Sequence, residues 1–276
     1  MKKALLITFA VLAAIVSGLF IFAQAPPRDP FMNRRGIPDW KLSKEMPHDV
    51  FTFVRIRYSS YGFRGRKWAT DYPDADLNFS YRLQEMTSMK VHPDGKIMEL
   101  TDEKLTDYPF IYIIEPGDLE FTEAEVVALR KYLLNGGFLM VDDFWGGWEY
   151  ENFAEEMRRV FPPKDFPQQQ PRELPLEHPV FHCVFDLKER PQVPSIGVAL
   201  SGRMYEPRGH PTDDGSEVHY QGLHDNKGRM MAIICHNTDL GDGWEREGED
   251  PEYFKKFSEP RAYPMGINII YYAMTH

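Results

Sequence analysis

Apolar residues along this chain gather in short runs, and the spacing of those runs predicts an alternation of strands and helices. Phe110 to Ile114 is five apolar residues in a row, bounded by Pro109 and by Glu115-Pro116-Gly117. Such a run suits a strand buried on both faces. Thr122 then stands as a helix N-cap with Glu125 three residues on, which is a capping box, and Phe121 and Val126 are placed to form a hydrophobic staple. Val126, Leu129 and Leu133 recur at helical spacing, and Asn135-Gly136-Gly137 closes the helix because glycine accepts a left-handed C′ conformation. Phe138 to Val141 is a second buried run, ending at Asp142-Asp143. Strand, helix and strand in so short a span make a βαβ unit with parallel strands and a right-handed crossover.

The same reading extends outward. Phe51 to Tyr58 is β-prone, interrupted by Arg55 and Arg57, and Asp74 to Met89 reads as a helix with Phe79, Leu83 and Met86 inward. Tyr150 to Val160 is a helix stopped by Pro162-Pro163, Met230 to Cys235 a strand, and Pro264 to Met274 a last helix. Residues 162–228 show no period and predict loops and short strands lying over the sheet. Asp239 to Pro251 reads as a Gly- and acid-rich loop.

The start of the chain has a different pattern. Lys2 and Lys3 precede an uncharged run from Ala4 to Phe22, and Ala23-Gln24-Ala25 follows. A positive end, an apolar run and a small-residue site are the parts of a secretory signal. The length of the run and Pro26 suit an uncleaved membrane anchor equally well. Both readings place residues 49–276, one α/β domain, in the periplasm or on the outer cell surface. Pro26, Pro27, Pro30, Pro38 and Pro47 mark residues 26–48 as a tether or a strap.

Charge narrows the partners. The formal net charge is −10, and more negative still without Lys2 and Lys3. That argues against nucleic acid and against anionic lipid surfaces, and leaves an envelope protein or a glycan as the expected partner, with the membrane reached only through the N-terminal segment. Cys183 and Cys235 are the two cysteines; they can pair in an oxidising compartment or stand as core thiols.

In open α/β sheets ligands bind outside the carboxyl ends of the strands. Those ends here carry Arg55, Arg57 and Tyr58, then Glu115, then Asp142 and Asp143, then His236, Asn237 and Asp239. Asp142, Asp143 and His236 are the candidate acid–base groups. Arg55, Arg57, Tyr58, Glu115 and Asp239, with Trp68 and Asp71 from the loop before the first helix, are the candidate ligand-binding groups. Each has a structural alternative: a turn at Asp142-Asp143, a hydrogen-bonded core histidine, a core-covering Trp68, or an ion pair of the arginines with Asp142 or Glu115. Adjacent carboxylates would need a third ligand to hold a divalent cation. His219, His224 and Asp225 lack the spacing of a helical zinc site, so no metal site is expected. No G-x-S-x-G elbow and no phosphate-binding glycine loop occur, so neither covalent catalysis nor a nucleotide cofactor is expected.

Arg55-Ile56-Arg57-Tyr58, Trp68-Ala69-Thr70-Asp71-Tyr72-Pro73, Asp76-Leu77-Asn78, Tyr108 to Tyr112, Leu129 to Leu133, Gly136 to Leu139, Asp142-Asp143 and Gly266 to Thr275, in that order, resemble the domain of unknown function 4159 family. The resemblance covers roughly residues 50–275. It implies a three-layer α/β sandwich with a mostly parallel sheet, flavodoxin-like and similar to class I glutamine amidotransferases, in an envelope or membrane protein. The cysteine elbow of the amidotransferases is absent, so their chemistry is not carried over. Two functions remain: a non-catalytic binding domain, or a water-using hydrolase.

Overall fold

A computed structural model describes Arg34 and residues 36–42, 49–60, 66–207 and 214–276. The expected signal or anchor, residues 1–25, and most of the proline-rich stretch lie outside the described residues. The part of that stretch that is described lies against the domain. Arg34 pairs with Asp94 at 2.7 Å, and Trp40 packs on the core and donates from Nε1 to the Val91 carbonyl at 2.8 Å. The compact unit accordingly begins at Arg34, earlier than the boundary at 49.

Among the described residues seven strands form one sheet: β1 (Val54–Ile56), β2 (Lys96–Met98), β3 (Phe110–Ile114), β4 (Phe138–Asp142), β5 (Arg172–Glu173), β6 (His219–His224) and β7 (Met230–His236). Their order is β2-β1-β3-β4-β7-β6-β5. The pairs from β2 through β7 are parallel, and β6 and β5 are added antiparallel. The five parallel strands therefore follow the 2-1-3-4-5 order of doubly wound folds, whose ligand crevice opens where the order reverses, between β1 and β3.

Alternation along β3 explains its unbroken apolar run. Phe110, Tyr112 and Ile114 enter one core, Ile111 and Ile113 the other. Helices α1 (Asp74–Met86), α5 (Leu240–Glu245) and α7 (Tyr263–Thr275) contribute to the first core; α2 (Glu123–Leu134) and α3 (Gly146–Val160) cover the second. This is the expected three-layer arrangement. The capping box forms as read: Thr122 Oγ1 accepts from Glu125 N, and Glu125 Oε2 accepts from Thr122 N at 2.8 Å. Phe121 and Val126 share one core cluster.

Several elements differ from the sequence pattern. The first strand is only three residues long, since Phe51 makes a separate bridge to Val91. Helix α3 begins at Gly146, before Tyr150, because Asn237 Oδ1 accepts from the Gly146 N–H at 2.8 Å and Glu149 from the Trp145 N–H at 2.8 Å. Among the described residues of 162–228 lie the edge strand β5, its neighbour β6 and the short helix α4 (Ile196–Leu200). The acid-rich stretch after β7 is not all loop: it holds α5, then α6 (Pro251–Tyr253), and a π-helical turn, Phe254–Ala262, leads into α7. Cys183 and Cys235 are separate thiols, the second fully buried. Among the described residues no helix is long and apolar enough to cross a membrane.

Candidate functional site

Among the described residues, four that are not glycine have left-handed backbones: Asp71 (φ 62°), Glu115 (φ 47°), Asp143 (φ 56°) and Asn237 (φ 59°). One follows each of β3, β4 and β7, and one closes the connection from β1 to α1. Such conformations cost about 1–3 kcal/mol, least for Asp and Asn, and persist only where surrounding contacts enforce them. The contacts here are specific. Tyr58 Oη donates to the carbonyls of Ile114 and Glu115, both at 2.7 Å. The Asp143 N–H donates to the Thr238 carbonyl at 3.2 Å and the Asn237 N–H to the Phe144 carbonyl at 2.9 Å, which laces the ends of β4 and β7 together. Tyr58 is thus a clamp of the turn after β3, with its hydroxyl spent on backbone.

These turns gather carboxylates. Glu115 is fixed by Thr70 Oγ1 at 3.0 Å and by Lys67 Nζ at 2.7 Å. Asp142 is fully buried; its Oδ2 accepts from the Gly241 N–H at 3.0 Å and from Tyr112 Oη at 3.1 Å, and its Oδ1 from the Leu240 N–H at 3.3 Å. Burial pushes its carboxyl up to about 7, against the opposing pull of those donors. Asp239 caps α5, accepting from the Asp242 N–H at 2.7 Å. Burial, followed by neighbouring carboxylates, raises Asp143, Asp239 and Asp71 well above the usual range. For Asp143 the neighbours are Glu115, Asp71, Glu206 and Asp142; for Asp239 they include Asp143, Asp71 and Asp242. Glu115, Asp71, Asp142, Asp143 and Asp239 are therefore one mutually repelling group at the carboxyl edge, spanning the switch point between β1 and β3.

The arginines are not part of it. Arg55 is fully buried on the first-core face of β1, where it forks onto Asp76 of α1, with Nε at 3.1 Å from both carboxylate oxygens and a second nitrogen at 2.5 Å. It also donates to the Trp68 and Thr70 carbonyls and lies over the Tyr112 ring at 5.1 Å. It is a structural ion pair, and Asp76, neither Asp142 nor Glu115, is the partner. Arg57 lies past the strand end, half exposed, and pairs with Glu99 at 2.6 Å. Trp68 packs against the second core cluster and contributes its carbonyl to Arg55.

His236 is buried on the other side of the sheet from Asp142. Residues 140 and 142 of β4 share the face of Tyr112, whereas residues 234 and 236 of β7 share the face of α3. There the His236 ring lies 4.9 Å from both Phe144 and Tyr150, and 5.7 Å from His219, with Nε2 at 3.0 Å from the Gly146 carbonyl. Strand alternation thus separates the histidine from Asp142 that chain position had put beside it. His219 lies 3.4 Å from Glu173.

A family model, described as a domain of unknown function (DUF4159), matches residues 52–274. The chain belongs to the DUF4159 family. No curated protein matches it. The carboxyl-edge group lies entirely within the DUF4159 domain.

The sequence reading missed three contributors. Tyr112 hides in an apolar run, yet its hydroxyl joins Asp142 to the Arg55 face. Asp242 and Glu245 sit on α5, and one ligand oxygen of each falls within 4.8 Å of one on Asp71. Their signal was present as an i, i+3 carboxylate pair, which shares one face of a helix. Neither cysteine offers a nucleophile: burial raises both thiols, Cys235 strongly.

Proposed function

We propose that this is an exported or membrane-anchored envelope protein whose DUF4159 domain binds a ligand without transforming it, and that the ligand brings positive charge to the carboxyl edge of the sheet. The observation that carries this reading is the gathering of Asp71, Glu115, Asp143 and Asp239 at one edge, the first three on left-handed backbones, with burial and neighbouring carboxylates raising Asp71, Asp143 and Asp239. A fold retains strained, self-repelling groups of this kind mainly where they serve function. A basic segment of an envelope protein meets the requirement best, given a chain of net charge −10. The export expectation rests on the run from Ala4 to Phe22.

The hydrolase alternative is weaker on geometry. Asp142, poised near neutrality, has both oxygens occupied by donors and no exposure. His236 belongs to the opposite face of the sheet. Of the three candidate acid–base groups, Asp142, Asp143 and His236, the first and the last are thus not placed to activate a water for an external substrate.

The test is thermal denaturation of the full chain with basic peptides, amino sugars and neutral glycans, in wild type and Asp143→Asn. Basic compounds should stabilise the wild type, and the variant should lose that response. Turnover of an ester, amide or glycoside, with no compound stabilising the protein, would refute binding as the function.

A further inference from the structure

We infer that Asp71, Asp242 and Glu245 form a binding site for a hard divalent cation, of the Mg²⁺, Mn²⁺ or Ca²⁺ class. This rests on reading the carboxyl edge as a binding site and gives part of that edge a definite occupant.

The geometry fits such an ion. One carboxylate oxygen from each residue lies within 4.8 Å of the others. Oxygens on opposite sides of Ca²⁺ stand about 4.8 Å apart, and those around Mg²⁺ at most about 4.2 Å, from bond lengths of ~2.4 and ~2.1 Å. An all-carboxylate set, without His or Cys, selects hard cations over zinc or copper.

A second observation points to a missing partner. Asp71 Oδ2 is sealed from solvent and accepts no hydrogen bond among the described residues. Its direction is fixed by the left-handed backbone at Asp71 and by the close approach of α5. A Cβ on Gly241 would stand 2.6 Å from that oxygen and 3.1 Å from Tyr112 Oη, so glycine is what leaves the carboxylate its place. The Glu245 carboxylate faces that of Asp71, so two carboxyl groups meet where a proton or a cation must lie between them.

The other two ligands are oriented. Asp242 Oδ2 accepts from the Ile196 N–H at 2.6 Å and faces Tyr253 Oη at 3.4 Å, while Oδ1 accepts from Arg246 Nε at 3.1 Å. Arg246 Nε also lies 2.8 Å from Glu245 Oε2, off the line of a hydrogen bond. One guanidinium thus serves two of the three carboxylates. Arg55, the other cation near Asp71, is already forked onto Asp76. Asp143 and Asp239 interact with Asp71, and Glu206 with Asp242, so further carboxyl groups surround the site.

The experiment uses the full chain, stripped with EDTA and titrated separately with Mg²⁺, Mn²⁺ and Ca²⁺ by calorimetry and thermal denaturation. At about 100 times its Kd, one of these ions should raise the melting temperature of the wild type by about 5 °C or more. Asp71→Asn keeps a residue suited to the left-handed backbone, and Glu245→Gln alters a partly exposed side chain. Each should weaken the ion at least about tenfold while melting no lower than wild type in EDTA. No response of the wild type to any of the three ions overturns the site, as does an undiminished response in both variants. A protein that binds basic peptides but no ion loses this inference and keeps the binding function above; one that binds the ion through these residues but no peptide does the reverse.

Discussion

Two sets of buried carboxylates lie in one domain and behave oppositely. Asp76, on α1, is fully buried, and Arg55 supplies it with a forked, equally buried guanidinium. Asp71, Asp142, Asp143 and Asp239 are just as enclosed at their carboxylates, but backbone N–H groups, hydroxyls and one another are their main company. Burial is common to both sets, so burial alone does not mark a site. A compensated charge is a part of the architecture; a gathered, uncompensated set is held against its own repulsion and invites a counter-charge.

The contrast can be broken at either end. The largest effect is expected at the compensated pair. Arg55→Ala strands Asp76 inside the first core and should cost about 3–5 kcal/mol, read by urea denaturation. Asp143→Asn should do the opposite at pH 8. It removes one repelling charge, keeps an acceptor for Trp145 Nε1, and suits φ 56°, so a gain of about 1–2 kcal/mol is expected alongside the loss of ligand response. A loss of stability on that change would place Asp143 with Asp76 as a structural acid. Arg57→Ala should matter least, because its pair with Glu99 is half exposed. Stability should move by no more than about 0.5 kcal/mol and ligand binding should be unaffected, checked by the same melts.

The fold was largely legible because its signals are local. Five apolar residues between proline boundaries suit a buried strand, and the Thr122–Glu125 capping box sets a helix start within one residue. The strand-end rule then named Glu115, Asp142, Asp143 and Asp239, which do share one edge. What stayed hidden depends on which face a side chain takes and on contacts far along the chain. Arg55 found its partner 21 positions on, in a helix whose own period says nothing of strand β1. His236 and Asp142 both end strands, but alternation turns them to opposite faces. Helix α5 is hidden in the sequence because Gly241 and Gly243 argue against helix locally. The packed structure needs those glycines, since Cβ atoms there would stand 2.6 Å from Asp71 Oδ2 and 2.4 Å from the Ala262 Cβ. With α5 went Asp242 and Glu245.

The edge carboxylates should be protonated more readily in the folded than in the unfolded protein. Asp142 is the cleanest case, since burial lifts it from the ordinary range to about 7. A group that gains protons on folding contributes least at high pH. Its share of stability is present below pH 4 and lost as pH rises towards 7. Denaturant unfolding of the full chain between pH 5 and pH 8, for wild type and Asp142→Asn, measures this directly. The wild type should lose at least roughly 2–3 kcal/mol over that interval, and the variant should lose less by about that amount. A wild type whose stability is flat or rises from pH 5 to pH 8, or a variant with the same slope as wild type, would contradict the account.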